Sequence, residues 1–168
     1  LNTIKNISFT LPFPYKLYVK EHPASIGLRP KSFYKKLQEI PNVVLISPEE
    51  SVENIIKKSS GIITLTSTVG MEAALTGKPV YVLGNVFYSY HPLCRKLRNF
   101  KELKDSIQED LINKPNIDNL EDINCRFIAS CFRNTIKGNI VSASQEKDTN
   151  NYKLICQNLK FYATSKIS

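Results

Sequence analysis

The chain has 168 residues, 42% of them hydrophobic, which suits a compact domain with a core of its own. Lys plus Arg number 23 against 15 for Asp plus Glu, a net charge of +8 that favours anionic partners: phosphates, nucleotides, nucleic acid or an anionic membrane face. The basic residues are scattered (Lys35, Lys36, Lys57, Lys58, Arg95, Lys96, Arg98), so they read as a solvated surface, and no nucleic-acid partner is expected.

The start of the chain reads as the inside of a helix, and with Leu rather than Met first, a piece of a longer protein is expected. Lys16–Lys20 (KLYVK) reads as a strand, and Lys31–Ile40 places Phe33, Tyr34 and Leu37 at helical spacing. Asn42–Ile46 (NVVLI) is a second strand, and Ser51–Lys58 is a helix started at Ser51 or Pro48. Gly61–Leu65 (GIITL) is a third strand, Val69–Thr76 a helix closed by Gly77, and Pro79–Leu83 (PVYVL) a fourth strand. After Gly84 the pattern turns helical, over Phe100–Ile112, Leu120–Ile136 and Tyr152–Thr164.

Strands alternating with helices of about ten residues predict right-handed βαβ units and a Rossmann-like parallel α/β sheet flanked by helices. The strands are continuous apolar runs, as expected where helices cover both faces. The expected division is an α/β domain over 1–137, a polar loop over 138–151 and a C-terminal helix over 152–168. That helix, with Leu154, Ile155, Leu159 and Tyr162 at helical spacing, is expected to dock on this domain or on another.

Cys94, Cys125, Cys131 and Cys156 form no CxxC pair and have no ligand spacing with His22 or His91, so neither metal nor cofactor is expected. Free thiols point to the cytoplasm. No apolar run approaches the roughly 20 residues that span a bilayer, and no signal-peptide pattern is present. GxGxxG, GxxxxGK[ST] and GxSxG are missing, so dinucleotide, P-loop and hydrolase routes lack support.

The stretch TSTVGMEAALTGKP, Thr66 to Pro79, carries the main functional signal. Ligands of doubly wound sheets bind beyond the carboxyl ends of the strands, and this stretch begins at such an end. The hydroxyls of Ser67 and Thr68, with the first free N–H groups of the next helix, suit an anion; an ordinary helix cap accounts for the same residues. Met71, Ala74 and Leu75 read as the buried stripe, which leaves Glu72 on the flank shared with Thr68, placed to accept from ribose hydroxyls or to complement the helix dipole. Lys20 and His22 in KEHP alternate onto one face, with Glu21 on the other. Pro23 ends that strand, leaving His22 at its rim to meet a phosphate or be fixed by local bonds. Phe87, Tyr88 and Tyr90 suit stacking on a base or sugar, or packing under a loop, and no acid stands near His91 in the sequence.

Taken together, LYVKEHP, NVVLISP and GIITLTSTVGMEAALTGKPVYVLGNVFY resemble the bacterial capsule polysaccharide biosynthesis proteins, over about half the chain from Lys16 to Tyr88. The resemblance implies a glycosyltransferase of the two-Rossmann-domain GT-B architecture, Kdo- or sialyltransferase-like, of which this chain matches the C-terminal, donor-binding half. It implies that His22 meets the donor phosphate with Ser67 and Thr68, that Glu72 holds the ribose or donor sugar, and that Phe87 and Tyr88 form the aromatic pair after the fourth strand. Lys20 is counted with these substrate-binding residues. The implied partners are a nucleotide sugar, CMP-sugar favoured, and a glycan or glycolipid acceptor held by a second domain, with peripheral contact at the inner face of the plasma membrane. The catalytic base is expected in that other domain. A nucleotide-sugar epimerase of the same fold and a non-catalytic nucleotide- or anion-binding module are the alternatives.

Overall fold

Runs of β-branched residues become parallel strands here, and the stretches between them curl into short helices that cover the strands. The computed structural model describes residues 1–115, 117–136, 138 and 149–165. They divide into two compact units, Leu1–Leu120 and Glu121–Ser168.

The first unit opens with α1 (Asn2–Thr10), followed by β1 (Leu17–Lys20), α2 (Lys31–Gln38) and β2 (Val43–Ile46). β1 and β2 pair in parallel, Leu17 against Val43 through Lys20 against Ile46. After α3 (Val52–Lys58), a second parallel sheet forms from β3 (Ile62–Thr64), β4 (Val80–Val82) and β5 (Cys94–Lys96), with α4 (Val69–Leu75) crossing from β3 to β4. α5 (Phe100–Ile112) follows β5 and packs against α1.

The two sheets share one core. Leu17 of β1, Ile63 of β3 and Leu83 all pack against the buried cluster of Ile7, Tyr81, Leu97, Leu103 and Ile107. Leu17 also packs against a second cluster, Leu37, Ile40 and Val43, beneath α2. Leu103 and Leu37 are almost fully buried, each contributing about 2–3 kcal/mol by removal from water. Val80, Tyr81 and Val82 are all buried, as a continuous apolar run on a covered central strand requires.

The expected strands and helices of this unit are present with shifts of one or two residues at their ends. Two features differ. The segment after Gly84 is not simply helical: Phe87–Tyr90 forms a 3-10 turn and Cys94–Lys96 a fifth strand. A three-residue strand containing Arg and Lys has no apolar periodicity to announce it. The buried face of α4 is Gly70, Ala73 and Ala74, whereas Met71 and Leu75 are only partly covered. Small residues lie deepest because the helix sits close on Thr64 and Tyr88; a Cβ on Gly70 would come within 2.8 Å of the Tyr88 hydroxyl.

Gly77 closes α4 as expected, at φ +85°. Its N–H donates to Ala74 O and that of Lys78 to Ala73 O, the paired bonds of a Schellman stop. The Lys78 ammonium then donates to Lys57 O in the last turn of α3 and to Ser59 O just past it, tying the two helix ends together.

In the second unit, α6 spans Leu120–Arg133 (its first residue closing the first unit) and α7 spans Thr149–Ser165. The expected polar loop at 138–151 lies mostly outside the described residues, and positions 149–151 open α7 rather than ending the loop. Tyr162 lies among residues whose side chains are not described. Ile128, Phe132, Leu154 and Leu159 are exposed. Among the described residues, no helix is long and apolar enough to cross a membrane.

Candidate functional site

β1 ends at Lys20 because Pro23 has no N–H to extend a ladder, and the chain turns outward through a 3-10 turn at Pro23–Ser25. His22 caps that turn: its Nδ1 accepts from the Ala24 N–H at 3.1 Å. With Nδ1 accepting, the neutral ring carries its proton on Nε2, on an exposed side chain. Lys20 reaches the loop after β2, where its ammonium donates to Pro48 O at 2.6 Å.

The turn after β3 is built by its own hydroxyls. The Ser67 N–H donates to Thr64 Oγ1 at 3.1 Å, and Ser67 Oγ accepts from the Val69 N–H at 3.3 Å. Ser67, not Thr68, therefore supplies the side-chain bond at the start of α4; Thr68 sits at the cap position without one. The Tyr88 hydroxyl donates to Ser67 O from below. Tyr88 is 1% exposed, and burial pushes its hydroxyl above the usual tyrosine range, keeping it a donor.

Thr68, at the cap of α4, and Glu72 within it stand one turn apart, both exposed, with the Glu72 N–H donating to Thr68 O. α4 has seven residues, so its dipole is small, and an anion here depends on side chains and individual N–H groups. Gly84 brings the chain after β4 hard against this turn: a Cβ there would stand 2.2 Å from Leu65 O. The loops after β3 and β4 are thus locked together.

The structure joins Ser67 and Tyr88 directly and places Thr68 and Glu72 beside them. Lys20 and His22 lie at the end of β1, and among the described residues no hydrogen bond or ion pair links them to the β3 group. Phe87 is exposed and meets the Tyr88 ring edge-on, centroids 5.5 Å apart. His91 is buried, its Nδ1 accepting from the Leu93 N–H at 3.2 Å, in the turn that leads into β5. Sequence reasoning passed over Thr64, which lies inside an apolar strand run and gives no sign of capping the turn. It also passed over Glu21, set aside as facing away.

A family model described as capsule polysaccharide biosynthesis protein matches residues 8–127, well over half of the chain. No curated protein and no solved structure matches it.

Proposed function

The chain belongs to the capsule polysaccharide biosynthesis protein family, and from that premise we propose that it is the donor-binding half of a GT-B glycosyltransferase. The observation that carries the reading is the exposed, mutually adjacent pair of Thr68 and Glu72 on a turn braced by Ser67, Thr64 and Tyr88. Such a turn holds its polar groups in place before a ligand arrives, so little ordering entropy is lost on binding.

His22 donates from Nε2 to a phosphate oxygen of the nucleotide sugar, and the Thr68 hydroxyl meets the same group. Glu72 accepts from ribose or sugar hydroxyls. Lys20 adds positive charge at the neighbouring strand end, and Tyr88 acts by holding the Ser67 carbonyl. As the glycosidic carbon leaves the phosphate, negative charge grows on the phosphate oxygens, and donors already aimed there stabilise it. CMP-sugar is the favoured donor. The acceptor glycan or glycolipid is held by a second domain, which also supplies the base, at the cytoplasmic face of the membrane.

A thermal-shift panel of CMP, UDP, GDP and ADP tests the reading. A nucleotide that binds only the folded chain stabilises it by on the order of 2.7 kcal/mol at a hundredfold excess over Kd. CMP is expected to give the largest shift. A folded protein that responds to none of the four would refute the proposal.

A further inference from the structure

We infer that Glu21 is a positioning residue for His22, clamping the loop that carries it; this rests on His22 meeting the donor phosphate. The two residues are neighbours just past the end of β1 but differ in burial. His22 is exposed, whereas the Glu21 side chain retains 12% exposure. Glu21 Oε2 accepts from the Tyr34 hydroxyl at 2.7 Å, and Oε1 lies 3.2 Å from Arg29 Nε. That second contact is charge pairing only, since Oε1 is buried and receives no hydrogen bond among the described residues.

These contacts close a loop. Arg29 stands at the far end of the segment that starts at Pro23, and Tyr34 lies on α2. The Arg29 guanidinium lies over the Phe33 ring at 4.7 Å, and Phe33 meets Tyr34 edge-on at 5.5 Å. Phe33 in turn packs against the buried cluster of Leu37, Ile40 and Val43. One carboxylate therefore joins the strand end, the loop end and the core-anchored face of α2. The loop between is loosely covered: Ile26 and Leu28 are exposed, and Gly27, at φ +79°, has open space around its α-carbon.

The clamp fixes the chain on both sides of His22. The His22 Nδ1 bond to Ala24 orients the ring only while the backbone of Pro23–Ser25 keeps its course from the end of β1, and Glu21 fixes where that course begins. Its carboxylate is taken up by Tyr34 and Arg29, so its influence on a ligand passes through His22.

The test combines binding with amide exchange on the full chain, in Glu21→Ala, Glu21→Gln, Arg29→Met and His22→Ala. CMP and cytidine serve as probes, because only CMP carries the phosphate. Glu21→Ala is expected to weaken CMP on the order of tenfold, the low end of what outer-shell partners cost in metal sites, and cytidine by less than about twofold. Arg29→Met, on a half-exposed side chain, should give a smaller loss of the same kind, and Glu21→Gln, which keeps an acceptor for Tyr34, should recover part of it. The Ala24 amide should exchange faster in Glu21→Ala and Arg29→Met, while amides of β1 and β2 keep their wild-type rates. Unchanged Ala24 exchange in both, or equal losses for CMP and cytidine, would overturn the assignment. Faster Ala24 exchange with CMP affinity indifferent even to His22→Ala would uphold the clamp and sink the donor reading instead.

Discussion

Asp110 is the most consequential polar residue of the core. It is 5% exposed, accepts from the Tyr81 hydroxyl at 2.8 Å, and is paired with Arg95, which also reaches Glu109 at 2.7 Å. Asp110→Ala should cost about 2–3 kcal/mol in a denaturant melt, because it strands a buried hydroxyl and one arm of Arg95. Tyr81→Phe, which removes one donor and leaves the ion pair, should cost about 1 kcal/mol. The same core sets an alkaline limit. Burial pushes the Cys94 thiol from 9.0 up to about 11, so on rising pH the unfolded chain loses that proton first. Stability from this group is therefore full below pH 9 and falls as pH climbs towards 11. Cys94→Ala should flatten that part of a stability-against-pH curve; an unaltered slope would assign the fall to Tyr81, whose hydroxyl burial and Asp110 also push up.

At the scale of elements, the turn after β3 depends on α4 lying close to Tyr88. Gly70→Ala should drive a methyl into the Tyr88 ring and hydroxyl, costing about 1–3 kcal/mol and loosening the bond to Ser67. Equal melting of Gly70→Ala and wild type would contradict that packing. The βαβ rhythm was legible in the sequence because its strands are apolar runs and its helices have clear stops, Gly77 foremost. The phase of α4 was not, because a hydrophobicity pattern gives Met71 and Leu75 more weight than Gly70 and Ala73, while close packing selects the smaller residues. β5 escaped for the opposite reason: Arg95 serves the Asp110 pair and Lys96 reaches Asn85, so the strand is set by its neighbours. At the candidate site, His22, Thr68 and Glu72 could be placed from strand ends and helix spacing. The roles of Tyr88 and Glu21 depend on contacts between distant segments, which no local pattern encodes, whereas Thr64 bonds only three residues on but is masked by the apolar strand run around it.

At the scale of the whole molecule, the family match spans most of the first unit and the opening turns of α6. It places the α/β unit within the capsule-synthesis family. The net charge of +8 suits a polyanionic ligand but would attract any anion, so specificity has to come from placed groups rather than from the overall field. The direct measurement is calorimetric titration of CMP and cytidine into wild type, His22→Ala and Glu72→Ala, with a denaturant melt of each. Both side chains are exposed, so neither truncation opens a core cavity, and stability should stay within about 0.5 kcal/mol of wild type. Glu72→Ala should weaken CMP and cytidine alike, by about ten- to a hundredfold, through lost charged hydrogen bonds to the ribose. His22→Ala should weaken CMP and leave cytidine almost unchanged. Wild-type affinity for CMP in both variants would contradict the donor-site account.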